Sequence, residues 1–365
     1  ILSRETLFWQ GDGVTYRIPA LLYVSHSATF LAFAERRSSA RDEDAEHLVL
    51  RRGRRVGSSV QWGPVEELSA LVLPGRRTMS PCPLYEASSG TVFLFCICVE
   101  RGRTERRQIW GGCSAARLCF AASGDDGRHW TPLRDITGEA IDADLPRWAT
   151  FAVGPGHGVQ LDSGRLVVPA YVYYVHRRLC RAVPLPCATR QHSLVFYSDD
   201  SGRSWCKGAL LGGQRTGECQ VAEVGASGTP NPTVLYCSAR APRGCRAVAL
   251  SRDGGQHFER SAPCRALPEP PHGCQGSVVS FAAPCGSGTW LLYSHPTDLH
   301  QRRDLGLYVN PSPLDGAGWR RPWVLRAGPA GYSDLATCPG GAFGCLLECG
   351  STSPCEEITF CLFAL

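Results

Sequence analysis

Six times along the chain a turn-forming stretch opens directly into an apolar run, and this repeat limits the fold more than any other feature. The runs occupy 29–35, 91–97, 165–171, 233–239, 289–295 and 343–349, with starts spaced 62, 74, 68, 56 and 54 residues apart. Most are preceded by Ser-Gly, Gly-Thr or Pro. Apolar runs of this length bounded by glycine read as buried strands rather than helices. A period of this size, with about four strands per unit, is the signature of a β-propeller. Six units predict six blades, so residues 1–365 read as one all-β, six-bladed β-propeller domain. A β-sandwich would need fewer residues and would not repeat at this interval. Helical candidates are short, such as 137–143.

A second repeat overlies the first. Ser123-Gly124-Asp125-Asp126-Gly127-Arg128-His129-Trp130 and Ser198-Asp199-Asp200-Ser201-Gly202-Arg203-Ser204-Trp205 share the pattern Ser-x-Asp-x-Gly-x-x-Trp. Ser251 to Phe258 is a third copy, with phenylalanine in place of tryptophan. Such an Asp box is a hairpin device: Asp caps its own turn, Gly supplies a positive φ, and the aromatic tucks between blades. The boxes are structural and carry no chemistry.

Composition removes several function classes. Gly 40 and Pro 26 suit many short strands, and 43% hydrophobic with 19% charged residues argues for a folded soluble body over disorder. The net charge of +5 is mild, and the arginines are scattered rather than clustered, so nucleic acid is not an expected partner. Lys207 is the only lysine, which fits a coding bias toward Arg, although arginine is also the better residue for gripping a carboxylate.

The 19 cysteines include no C-x-x-C pair and no His/Cys cluster at zinc spacing, so neither metal nor cofactor is expected. Several of them (Cys96, Cys98, Cys237, Cys345) sit in apolar strand patterns as small hydrophobes. Asn231 and Asn310 are the only asparagines, and each precedes proline, which leaves no N-glycosylation acceptor. These features lean toward a reducing compartment. No signal peptide is visible and no apolar run nears the ~18 residues that span a bilayer, so membrane contact is expected to be peripheral. The chain opens on Ile1, and an initiator or leader is expected before it.

If the six strands are equivalent, their ends meet on one face around the axis. The residues there are unusual for strand ends: Arg37 and Asp42, Glu100 and Glu105, Tyr171 and Tyr173, Arg240, His295 and Arg302, and Glu348. A funnel lined with arginines, carboxylates and tyrosines suits an anionic, polyhydroxylated ligand.

At this point the residues resemble the sialidase (neuraminidase) superfamily, whose fold is a six-bladed propeller. Tyr16-Arg17-Ile18-Pro19 followed by three Asp boxes carries the resemblance. Further stretches are similar to the animal sialidases: 32–37 with Asp42-Glu43, 153–158, 218–223, 273–277 and 332–335. The likeness runs from about Leu7 to Phe363. Within that family, 271–281, 291–297 and 343–350 look closest to the membrane-associated ganglioside sialidases.

The resemblance implies a retaining exo-α-sialidase that removes terminal sialic acid from gangliosides and other sialylated glycolipids or glycoproteins. It places the family's carboxylate-binding triad on Arg17, Arg240 and Arg302, with Glu35 and Glu348 as possible braces of triad members. Tyr332 matches the nucleophile and Glu218 its base. A neutral phenol can approach an anomeric centre that already bears a carboxylate, which is why sialidases depart from the two-carboxylate scheme. Asp42 matches the general acid/base. Arg37, Glu105, Tyr171, Tyr173 and Gln275 match positions around the sugar. Ser80 stands where the family more usually has asparagine, which bears on a secondary contact and not on the reaction. The subtype likeness implies peripheral attachment to the plasma membrane, with a cytoplasmic location as the alternative, and leaves the oligomeric state open. Two other readings stay open: a non-catalytic sialic-acid-binding propeller, which would not need Asp42, Tyr332 and Glu218 together, and a trans-sialidase, for which no acceptor site is marked.

Overall fold

The computed structural model describes residues 1–177, 188–225, 233–286 and 288–365. Asn231, Cys180 and Cys187 lie outside the described residues. Antiparallel strands dominate the regular structure of the described chain. Each predicted apolar run falls on the second strand of a unit: Thr29–Arg37, Thr91–Glu100, Leu166–Arg177, Val234–Ala239, Thr289–Pro296 and Ala342–Cys349. An inner strand precedes each of them: Thr15–Val24, Arg76–Glu86, Trp148–Val153, Cys219–Val224, Ser277–Ala282 and Trp323–Cys338.

Hydrogen bonding joins the strands into five sheets, not six, because one sheet has seven strands. The reason is the 16-residue strand Trp323–Cys338. Its first part pairs outward with Arg303–Asn310, and from Ala330 onward it pairs with Ala342–Cys349. The last unit is completed by the opening strand, since Ser3–Trp9 pairs with Glu357–Ala364.

The cores lie between neighbouring units. Leu31 and Phe33 pack with Val92 and Leu94, Phe95 with Phe151 and Phe196, and Val195 with Leu235. Tyr236 packs with Tyr293, and Leu292 with Leu347. Leu7, Phe8 and Phe360 then return to Phe30 of the first unit, which closes the ring. Burial of these apolar faces is the main stabilising term.

The Asp boxes repeat one geometry. In the first, Ser123 Oγ accepts from Gly127 N (2.9 Å) and Asp125 Oδ1 from His129 N (2.8 Å). The second gives 2.9 and 2.8 Å and the third 2.8 and 2.9 Å for the corresponding bonds. The box aromatics reach the preceding unit: Trp205 lies edge-on to Phe95, and Trp130 to Phe33. Among the described residues every cysteine is free, and most are buried. Helix is sparse. The expected segment at 137–143 is a short helix, Thr137–Ala140, followed by a 3-10 turn, and a further helix, Glu105–Gly111, was not expected. No described helix is long and apolar enough to cross a membrane.

Candidate active site

One cavity of about 500 Å³ is lined by residues from all six units. Bulges in the inner strands aim the side chains into it, as bulges next to functional sites do. The register with the second strand shifts between Arg17 and Ala20, between Met79 and Cys82, and between Ala330 and Ser333. Ile18 (φ 62°) and Ser80 (φ 57°) occupy the left-handed region, which is costly for a β-branched residue such as Ile18.

Glu348 holds the Ile18 bend and much else. Its Oε1 accepts from Arg17 Nε (2.8 Å) and Ile18 N (2.9 Å), and its Oε2 from Tyr332 N (3.1 Å). A single buried carboxylate thus sets an arginine of the first unit against a tyrosine of the last. Glu35 does something different. It pairs with Arg37 (2.7 Å) and accepts from Ser80 N (2.7 Å), so it braces Arg37 and not a member of the triad.

At the floor, Tyr332 Oη donates to Glu218 Oε1 at 2.7 Å. Arg240 Nη1 donates to Glu218 Oε2 (2.9 Å) and to Tyr332 Oη (3.1 Å). Burial, and then the negative charge of Glu218, push the Tyr332 phenol well above its ordinary value, against the opposing pull of Arg240 and Arg17. Free phenolate is therefore scarce, and Glu218 is the group placed to take the phenol proton. Arg17 and Arg302 lie over the Tyr332 ring at 5.2 and 5.5 Å. Arg17, Arg240 and Arg302 thus converge around one tyrosine.

Arg240 Nε and Nη2 donate to His272 O (3.0 and 2.9 Å), and Arg302 Nη2 donates to Gly273 O (3.2 Å). The loop that makes these contacts is anchored by Glu269, which accepts from Ala241 N (2.8 Å), Arg246 (3.1 Å) and His295 (2.9 Å). Against the cost of burial, Arg246 and His295 hold the Glu269 carboxyl down to about 2.

Asp42 lies at the mouth, about half exposed, and its Oδ1 accepts from Arg37 Nη1 (2.7 Å). Glu105 opens the helix Glu105–Gly111 beside it. Glu105 is exposed as a residue, yet partial desolvation of its carboxyl in the cavity, then the charges of Asp42 and Glu218, push it up to about 7. Tyr171 and Tyr173 form the wall, and burial followed by Glu105 raises both phenols.

Gln275 is not part of the lining. Its amide is spent below the floor, donating to Pro155 O (3.0 Å) and Ser333 O (2.9 Å) and accepting from Ser333 N (3.0 Å). It holds the backbone beside Tyr332 instead of facing a sugar. Two strand-end residues also lie elsewhere: Glu100 is exposed and lends its carbonyl to Arg77, and His295 is buried against Glu269.

The BNR repeat-like domain family matches residues 28–345. Sialidase-3 of Homo sapiens is 54% identical, with 98% of this chain and 91% of that protein covered. The chain belongs to the animal sialidase family. Sialidase-2 of Mus musculus is 44% identical, covering 100% of this chain and 96% of its own. Among solved structures, Hadza microbial sialidase Hz136 matches with TM-score 0.77 and 25% identity, over 96% of this chain and 66% of that one. The intramolecular trans-sialidase from Ruminococcus gnavus matches with TM-score 0.75 at 17% identity, over 98% and 97%, and shares the fold.

The cavity of this sialidase also holds residues that the sequence reading passed over, chiefly Arg77, Met79, Arg215 and His272. Arg77 is buried and donates to Glu100 O (3.0 Å) and Arg103 O (2.9 Å), with no carboxylate paired to it among the described residues. An arginine on an inner strand next to Ser80 was the available signal.

Proposed function

We propose that this sialidase hydrolyses terminal α-linked sialic acid with retention of configuration, through a covalent intermediate on Tyr332. The observation that carries the reading is the Tyr332–Glu218 hydrogen bond of 2.7 Å beneath converging arginines. Arg17, Arg240 and Arg302 take the substrate carboxylate through charge-assisted hydrogen bonds. Tyr332 Oη attacks the anomeric carbon as its proton passes to Glu218. The bond to the aglycone oxygen breaks, and Asp42 supplies that oxygen with a proton. Water then attacks the sialyl–tyrosine bond, giving one proton to Asp42, while Glu218 returns its proton to the departing phenol oxygen. A sialic-acid-binding propeller would need the arginines but not the buried Tyr332–Glu218 pair.

Proton NMR of the first-formed product tests this directly: the α anomer is expected, and a β anomer appearing first overturns the nucleophile assignment. The likeness of 271–281, 291–297 and 343–350 to ganglioside sialidases supports a finer reading, a preference for gangliosides and peripheral attachment to the plasma membrane. Faster release from a ganglioside than from a soluble sialoglycoprotein, with the protein in the membrane fraction, is the expected result. Equal turnover by a wholly soluble protein would favour the cytoplasmic alternative.

A further inference from the structure

Beside the catalytic cavity lies a second depression of about 880 Å³, whose lining includes Arg190, Arg215, Arg243, Arg260 and Arg265. Among the described residues no acidic one lines it. Among the described residues none of the five arginines is ion-paired, and all but Arg190 are exposed. Like charges gathered without counter-charge repel one another, and an external anion removes that cost.

The groove is continuous with two others. It shares Arg215 and Pro242 with the catalytic cavity. On its far side it shares Arg260, Pro263 and Arg265 with a third depression of about 540 Å³. That one is largely apolar, lined by Val248, Leu250, Ala266 and Leu314, and Leu314 is 55% exposed. Glu259 at its edge is held by Arg252 (3.0 Å). The order along the surface is therefore reacting pocket, cationic groove, apolar groove.

We propose that this face docks on anionic phospholipid at a bilayer surface. Headgroup phosphate and carboxylate oxygens would occupy the arginine groove, where guanidinium forks match them. The apolar groove with Leu314 would meet the acyl boundary. A soluble polyanion such as nucleic acid would use the arginines and leave the apolar groove without a role. Docking in this way brings the mouth of the catalytic cavity to the membrane through the shared Arg215 and Pro242. The proposal rests on the membrane-associated reading and names the surface responsible for it.

The test compares the wild type with the double variant Arg260→Ala, Arg265→Ala and, separately, Leu314→Asp. All three positions lie outside the catalytic cavity. Co-sedimentation is measured with phosphatidylcholine vesicles made with and without phosphatidylserine, and hydrolysis with a soluble sialoside. Expected are wild-type binding that needs phosphatidylserine and falls with salt, and about tenfold or greater loss in the double variant. Weaker binding is also expected for Leu314→Asp, with soluble-substrate turnover unchanged in both. Double-variant binding equal to wild type overturns the groove as the docking surface and leaves membrane attachment standing. A wild type that binds neither vesicle removes the membrane reading itself. A matching loss of soluble-sialoside turnover would make the groove part of the substrate site and also overturn the proposal.

Discussion

At the residue scale, two side chains show how environment sets role. Glu105 is exposed as a residue at the cavity mouth, but crowding of its carboxyl by the cavity and then the charges of Asp42 and Glu218 raise it to about 7, so it is neutral below that value. As pH rises through that value it ionises, adding a negative charge to a site for an anion. KM for a sialoside should therefore climb by about fivefold, the scale of a screened charge interaction near 1 kcal/mol. Glu105→Gln stays neutral, so its KM should remain flat between about pH 6 and 8. Coincident profiles for the two proteins would contradict this charge state.

Arg302 makes the second case. Among the described residues its hydrogen-bond partner is the Gly273 carbonyl and no carboxylate pairs with it, so Arg302→Lys strands no partner charge there and should melt near wild type. It loses the planar fork, and kcat/KM should fall by about tenfold or more. Activity near wild type would remove Arg302 from the carboxylate site. Arg17 is unlike it, because replacing Arg17 also strips Glu348 of a partner.

At the element scale, what the sequence revealed was local and what it hid was not. An Asp box is legible because its serine, aspartate, glycine and aromatic bond within eight residues. Gly202 (φ 87°) is required there: a Cβ would stand 2.4 Å from the Phe93 ring, which packs against Trp205. Gly202→Ala should cost about 1–3 kcal/mol in denaturant unfolding, with folded enzyme still active. Gly124→Ala, in the first box, meets open space and should be close to neutral. Equal stability of the two variants would contradict the role given to the turn.

The helix Glu105–Gly111 escaped because it is short, although Thr104, which accepts from Arg107 N (3.1 Å), was a readable N-cap. The bulges at Ile18 and Ser80 were hidden for another reason. They are imposed by Glu348 and Glu35, residues 330 and 45 positions away. Gln275 was misplaced by the same kind of effect, since its partners, Pro155 and Ser333, belong to other units.

At the scale of the whole molecule, the repeat announced a ring, and the sequence could not announce how the ring is tied. Asp334 is fully buried and accepts from Leu21 N (2.8 Å), His157 Nδ1 (2.7 Å) and Ser277 Oγ (2.8 Å), two residues from the proposed nucleophile. Bonds across 313, 177 and 57 residues leave no local trace. They explain why Tyr332 can be held against Glu218 by parts of the chain that never meet in sequence.

That placement is tested most directly by locating the covalent bond. A sialosyl substrate with fluorine beside the anomeric carbon and a good leaving group should accumulate the intermediate. The fluorine disfavours positive charge in both steps, while the leaving group speeds the first. Peptide mapping by mass spectrometry should then find the sugar on Tyr332. Sugar on Glu218 or Asp42, or no adduct while the leaving group is still released, would contradict a tyrosine nucleophile.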